Sequence, residues 1–273
     1  MLSWPLIQYV LTAALRDRLV VTLLLMIVLG SSLSMFLGSA AVIEQQSFSV
    51  VMGAGGLRFL GVFGVILFVC FYIRRAFDSK EVEFLLSRPI SRMGFLINHT
   101  LSFIILALLI ALVVTTTVSL IGKPEFSGLV LWGSSIAVEY AIMATAALFF
   151  SMVLSSAAGA ALACLGLYVL ARMVGVLLGI ADVPTSSYVM TILAHVMEFI
   201  SIVIPRLDLM GQTSWLVYGT ENLIGFDFMN ANHDLSKNFI SFLGLYGFIF
   251  IQGIFSIALL LAATSYDFFR RQF

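Results

Sequence analysis

Along most of the chain, apolar residues run for twenty or more positions and are broken only by short polar stretches, the pattern of helices that cross a lipid bilayer. The first run extends from Leu19 to about Ile43, and Glu44, Gln45 and Gln46 mark its far end. The second ends at Ile73 and begins between Val50 and Leu57, where Gly53, Gly55 and Gly56 interrupt the pattern. A third covers about Phe95 to Ile121, a fourth Leu129 to Leu154, a fifth Ala157 to Ile180, and the last about Phe239 to Thr264. Gly122-Lys123-Pro124-Glu125 is a tight turn between the third and fourth, and only Ser155 and Ser156 turn the chain before the fifth. In the fifth, Gly159, Ala163 and Gly166 place small residues on one side, which permits close helix packing. The expected fold is an all-α polytopic membrane protein with six transmembrane helices, one domain over residues 1–273.

Three segments break this rhythm. Residues 1–18 are too short to span. Pro5 suits a first helical turn, and Ile7, Val10, Leu11, Ala14 and Leu15 share a face opposite Gln8, Thr12 and Arg16, so an interfacial helix is expected. The alternative, a longer first span, would draw Arg16, Asp17 and Arg18 into the bilayer. Residues 182–238 form an extracytoplasmic region. Within it Tyr188 to Ile204 is apolar but carries His195 and Glu198 and stops at Pro205-Arg206, which predicts a re-entrant or interfacial segment.

The third segment, residues 74–92, is a charged interruption between the second and third spans, with Arg74, Arg75, Asp78, Lys80, Glu81, Glu83, Arg88 and Arg92. That density of charge places it in water. Asp78 followed by Glu81 has the spacing of a capping box. Val82, Leu85 and Leu86 then recur at helical spacing, predicting a short amphipathic helix that Pro89 ends, with Ser91 capping the next helix.

Composition agrees with the pattern: 61% of residues are hydrophobic and 10% charged, and the mean hydropathy is +1.11, outside the range of soluble domains. Fourteen basic and fourteen acidic residues leave no net charge, so no overall bias points to nucleic acid. The placement of charge is more informative. Arg16, Arg18, Arg74, Arg75, Lys80, Arg88, Arg92, Arg270 and Arg271 fall on one side of a six-span topology, against Lys123, Arg206 and Lys237 on the other. The positive-inside rule then places both termini in the cytoplasm.

Chemical motifs are sparse. The chain has no P-loop. His99, His195 and His233 are far apart, and no metal site is expected. Cys70 and Cys164 lie within spans, so no disulfide framework is expected. The N-terminus lacks a basic stretch followed by a small-residue cleavage site, and targeting is expected to rest on the first span. Ser31, Ser32 and Ser34 are expected to bond back to the preceding helical turn.

The run EFLLSRPISR, Glu83 to Arg92, resembles the first cytoplasmic loop of ABC-2 type permeases, the membrane subunits of bacterial ABC exporters. In that family an acid, Leu-Leu-Ser, Pro-Ile/Val-Ser and an Arg form a coupling helix and its exit. This chain has Lys80-Glu81 where the family commonly has Gly-Thr, and Asn98-His99 where it often has Gly-Lys. The resemblance implies that Asp78, Glu81, Glu83, Arg88, Pro89, Ser91 and Arg92 form the coupling surface to a P-loop ATPase subunit. ATP and magnesium would be held by that partner, with no cofactor and no enzymatic activity on this chain. It further implies a homodimer or a pair with a similar permease, contacts with membrane lipids but not nucleic acid, and a multi-pass location in the bacterial inner membrane. The sequence RLDLMGQTSWLVYG also resembles the segment that precedes the last span in these permeases. The opposing reading is an energy-independent carrier or a membrane-embedded enzyme that uses intramembrane charge.

Arg58, Glu139 and Arg172 are the charges that fall within apolar spans. Counted at about 1.5 Å per residue from Val50, Leu129 and Ala181, all three lie roughly 12 to 15 Å from the outer surface, in one layer. Either Arg58 and Glu139 snorkel outward from spans that start late, or the charges pair. The short turn between the fourth and fifth spans makes Glu139 with Arg172 the expected ion pair, structural in role, with Arg58 able to join from the second span.

Overall fold

The computed structural model describes residues 3–41, 44–82, 91–181, 203–219 and 236–270, together with 192, 195–197, 199 and 200. These residues form helices and short connections. Six helices are long and apolar enough to cross a membrane, so the chain is an all-α, multi-pass membrane protein. Much of residues 182–238 lies outside the described residues, including Glu198, His233 and most of Tyr188 to Ile204.

Helix α1 (Trp4–Arg16) has proline at its start and buries Leu6, Ile7, Val10 and Ala14, while Leu15 faces outward. It ends at Asp17, whose extended backbone (φ −76°, ψ 135°) breaks the chain before α2 (Arg18–Ser39) begins. The break excludes a single longer first span. Asp17 serves both helices, because its Oδ1 accepts the Leu19 N–H at 2.9 Å and so caps α2.

Helix α3 (Gln45–Asp78) is longer than its apolar run suggests, starting before Val50 and continuing through Arg74 and Arg75. It passes through Gly53, Gly55 and Gly56 without a break. At Gly53 the reason is packing: a Cβ there would lie 2.9 Å from the Ser34 hydroxyl on α2. Ser34 accordingly donates across the helix pair to the Ser49 carbonyl at 2.6 Å, whereas Ser31 and Ser32 bond back to Val28.

The capping box expected at Asp78 is not formed. Asp78 is the last residue of α3, ion-paired with Arg74 one turn back at 2.9 Å, and the helix terminates through Ser79 and a left-handed Lys80 (φ 58°). The Asp78 carboxylate is instead directed back along its own helix to Arg74.

Helix α4 (Arg92–Ile121) starts as expected, with the Ser91 hydroxyl accepting the Gly94 N–H at 3.0 Å, and stops at Gly122 before Pro124. Helices α5 (Phe126–Val153) and α6 (Ala157–Ala181) follow. Among the described residues, no neighbouring helix is seated on the small-residue stripe of α6 at Gly166. Gly166 is exposed with open space above it, and Ala160, Ala161, Cys164 and Ala171 face the bundle instead. A 3-10 turn (Leu207–Leu209) and the short helix α7 (Ser214–Tyr218) lead to α8 (Ser236–Arg270), which is kinked at Gly244 (φ 71°).

Helices α3 and α5 are central. In their most apolar windows 61% and 72% of residues are buried, against 22% in α2 and α8, so the outer helices present most of their surface to lipid. Helix α5 packs against α3, α4, α6, α7 and α8.

Candidate functional site

The charge placed at the heart of this bundle is the Glu139 carboxylate of α5, which is fully buried. About 20 Å of helix separates it from Phe126, and the same length separates Arg58 from Gln45 on the adjacent α3. The two side chains meet. Arg58 Nε donates to Glu139 Oε1 at 3.1 Å and Oε2 at 2.8 Å, and Nη2 donates to Oε2 as well. Arg58 is only 4% exposed, so neither charge reaches an outer interface.

The ion pair therefore joins Glu139 to Arg58, not to Arg172. The physical reason is the hairpin of residues 205–219, which takes up Arg172. From α6, Arg172 Nη1 donates to the carbonyls of Leu207 at 2.6 Å and Met210 at 3.0 Å. Arg58 Nη1 reaches the same hairpin, at the Gly211 carbonyl 2.7 Å away. Short connection between α5 and α6 governs which helices are neighbours, but backbone carbonyls arriving from a distant segment compete for the guanidinium.

Local sequence explains why the hairpin fits. Gly211 has φ +58°, and a Cβ there would fall 2.4 Å from Arg58 Cζ, so both the turn and the close approach require glycine. Its N–H donates to Ser135 Oγ on α5 at 2.9 Å. Further along, the Glu125 N–H donates to the Leu216 carbonyl at 3.1 Å. A Cβ on Gly128 would lie only 1.7 Å from the Trp215 carbonyl oxygen, so α5 accepts α7 only because residue 128 is glycine. Tyr140 completes the arrangement by donating to the Arg58 carbonyl at 2.9 Å, in space left by Gly61. Arg206 and Asp208 pair within the hairpin through two bonds of 2.9 and 2.8 Å.

A partly open cavity of about 330 Å³ adjoins the cluster, lined among others by Gly55, Phe59, Tyr168 and Gln212. Both Arg58 and Arg172 contribute to its wall.

Of the residues expected at the coupling surface, Glu83, Arg88 and Pro89 lie outside the described residues. Glu81 is helical just past Lys80, Ser91 caps α4, and Arg92 is its first residue. The helices flanking this loop are tied to α1. Arg75 Nη2 donates to Asp17 Oδ2 at 2.6 Å, and the Ser3 N–H donates to Asn98 Oδ1 at 2.8 Å. Partial burial raises the Asp17 pKa, but the bonds from Arg75 and Leu19 outweigh it and hold the carboxyl below its ordinary value.

His99 is buried within an aromatic group, 4.1 Å from the Phe95 ring centroid, with Nδ1 2.9 Å from the Phe95 carbonyl oxygen. Cys70 and Cys164 are buried free thiols. Among the described residues, no group of three His, Cys, Asp or Glu side chains is placed to hold a metal.

Sequence reasoning singled out all three intramembrane charges but missed Ser135, Gly211 and the hairpin carbonyls. The signal available was RLDLMGQTSWLVYG, a polar, glycine-containing stretch next to a region of intramembrane charge. The fold and this cluster define the class as an all-α polytopic membrane protein with a buried polar centre. The chain matches no protein-family model and no curated protein.

Proposed function

We propose that the chain is the membrane-spanning permease subunit of an ATP-driven ABC exporter of the ABC-2 type. It would couple ATP hydrolysis on a separate P-loop ATPase to outward movement of a substrate. The observation that carries this reading is the run Glu83 to Arg92, EFLLSRPISR, lying between two spanning helices, α3 and α4. Support comes from the ties among Asp17, Arg75, Ser3 and Asn98, which join α1 to the loop-proximal ends of α3 and α4. A force applied to the loop would then reach three helices rather than two. The excess of arginine and lysine on the loop side supports a cytoplasmic location for that side and for both termini.

The deciding experiment is to test whether a neighbouring reading frame encodes a P-loop ATPase and to co-express that ATPase with this chain, followed by purification through a tag on this chain. Recovery of the ATPase, with hydrolysis above that of the isolated subunit, is expected. Replacing Glu83 and Arg88 with alanine should abolish the stimulation, and an ATPase that neither copurifies nor responds refutes the reading.

A second reading, an energy-independent carrier, draws on the buried Arg58–Glu139 pair and its adjoining cavity. It predicts substrate flux in vesicles that contain this chain alone.

A further inference from the structure

Arginine dominates the charge around the cavity among the described residues. Among the described residues, three arginines (Arg58, Arg172 and Arg206) and two carboxylates (Glu139 and Asp208) meet where α3, α5, α6 and the hairpin converge. Arg58 is matched by Glu139, and Arg206 by Asp208. Arg172 bonds only to two backbone carbonyls, both through Nη1. No carboxylate among the described residues bonds Arg172, although it lies inside a spanning segment where an unpaired guanidinium is costly.

That charge lines a cavity built to receive a partner. Tyr168, Gln212 and Thr213 line it beside Arg172 and Arg58, with the Gln212 amide nitrogen already donating to the Asp208 carbonyl. At about 330 Å³ it exceeds the ~30 Å³ share of one water by an order of magnitude, leaving room for a hydrated anion or a small headgroup. The space beside Gly55 is open, with no atom within 4 Å of where a Cβ would lie. The Nε and Nη2 edge of Arg172 has the fork geometry that suits two oxygens of one anion. The Tyr168 and Thr213 hydroxyls on the lining beside the Arg172 fork favour a tetrahedral group, whose oxygens point in several directions, over a planar carboxylate.

We infer that this cavity is a binding site for a phosphate group, held by the Arg172 fork with Arg58, Tyr168, Gln212 and Thr213 around it. The inference rests on the cavity and its charge, independently of any ATPase partner. Two sources share this chemistry: a phospholipid headgroup entering past Gly55 and the exposed Phe59, or a free phosphate compound.

The test uses the purified full chain in neutral detergent. Native mass spectrometry and thermal unfolding are recorded with phosphatidylglycerol, with diacylglycerol as the phosphate-free lipid, and with inorganic phosphate. Phosphatidylglycerol is expected to be retained and to raise the melting temperature, while diacylglycerol does neither. Arg172→Gln should weaken retention at least about tenfold, and Arg172→Lys should recover part of it. Gly55→Leu fills the cavity without removing a hydrogen bond, so it serves as the reading if Arg172→Gln lowers folded yield. Stabilisation by phosphatidylglycerol alone assigns the lipid source, and stabilisation by inorganic phosphate as well assigns a free anion. Diacylglycerol binding as strongly as phosphatidylglycerol, no response to either phosphate probe, or unchanged binding in Arg172→Gln and Gly55→Leu overturns the inference.

Discussion

Replacing Glu139 with glutamine keeps its shape but leaves Arg58 buried without a counter-charge. The structure sets the scale. Glu139 is inaccessible, Arg58 is 4% exposed, and three hydrogen bonds join them. Breaking one side of such a pair costs about 3 to 5 kcal/mol, mostly because the remaining charge stays desolvated. Arg58→Gln should cost at least as much, since it also removes the bond to the Gly211 carbonyl, worth about 1 kcal/mol more. The double variant Arg58→Gln with Glu139→Gln buries two neutral amides that can bond each other, so its loss should be smaller than the sum of the single losses by about 2 to 3 kcal/mol. The assay is reversible unfolding of the purified chain in mixed micelles, run as a double-mutant cycle. A second cycle through Glu139 and Arg172 should show much weaker coupling, because Arg172 binds carbonyls instead. Additivity within about 0.5 kcal/mol for Arg58 and Glu139 would refute the pairing, and stronger coupling to Arg172 would restore the arrangement expected from sequence.

Gly128→Ala should push α7 off α5, lowering stability by about 1 to 3 kcal/mol and exposing residues 205–219 to protease, measured by melting and limited proteolysis. Asp17 has a lowered folded pKa, so its contribution is present above the unfolded value of about 3.9 and is lost as pH falls through the folded value. Because Arg75 is largely exposed, that contribution is at most about 1 kcal/mol. Asp17→Asn should therefore lower the melting temperature at pH 7 but not at pH 2. Pro89→Leu, which lets helix continue towards α4, should reduce stimulated ATP hydrolysis while leaving insertion intact, and normal stimulation would count against the coupling role. Reporters at Gly122 or Asn232 should be active outside, and those at Ser156 or after Phe273 only in the cytoplasm; an external C-terminus contradicts the six-span orientation.

The spanning helices were legible because the bilayer leaves few alternatives: a backbone in lipid must bond internally, and twenty apolar residues suffice to cross. Their ends were less so. Helix α3 continues past Ile73 to Asp78 because a helix does not stop where it leaves lipid, and Arg74 and Asp78 support its last turn. The same extension removed the capping box at Asp78, whose spacing was right but whose backbone was already helical. Ser91 was read correctly because a hydroxyl before an apolar run acts through its immediate neighbours. The ion pair failed differently. Arg58, Glu139 and Arg172 could be counted into one layer from helix rise alone, yet their pairing depended on where residues 207–211 insert, which no local pattern encodes.

That insertion also explains why arginine, rather than lysine, occupies position 58. Arg58 divides its donors, giving Nε and Nη2 to a carboxylate on α5 and Nη1 to a carbonyl of the hairpin. Arg172 bridges two carbonyls with one nitrogen and retains its other edge for the cavity. A lysine ammonium presents donors from a single point and cannot hold partners on opposite sides of a planar fork. The hairpin is gripped by its carbonyls, its Arg206, Asp208 and Gln212 side chains bond within it, and Gln212 and Thr213 line the cavity. The hairpin bonds to both α3 and α6, so a change in the spacing of those helices must break a bond to one arginine or carry the hairpin along. A change in the spacing of α3 and α6 therefore alters the cavity, which both arginines and the hairpin line.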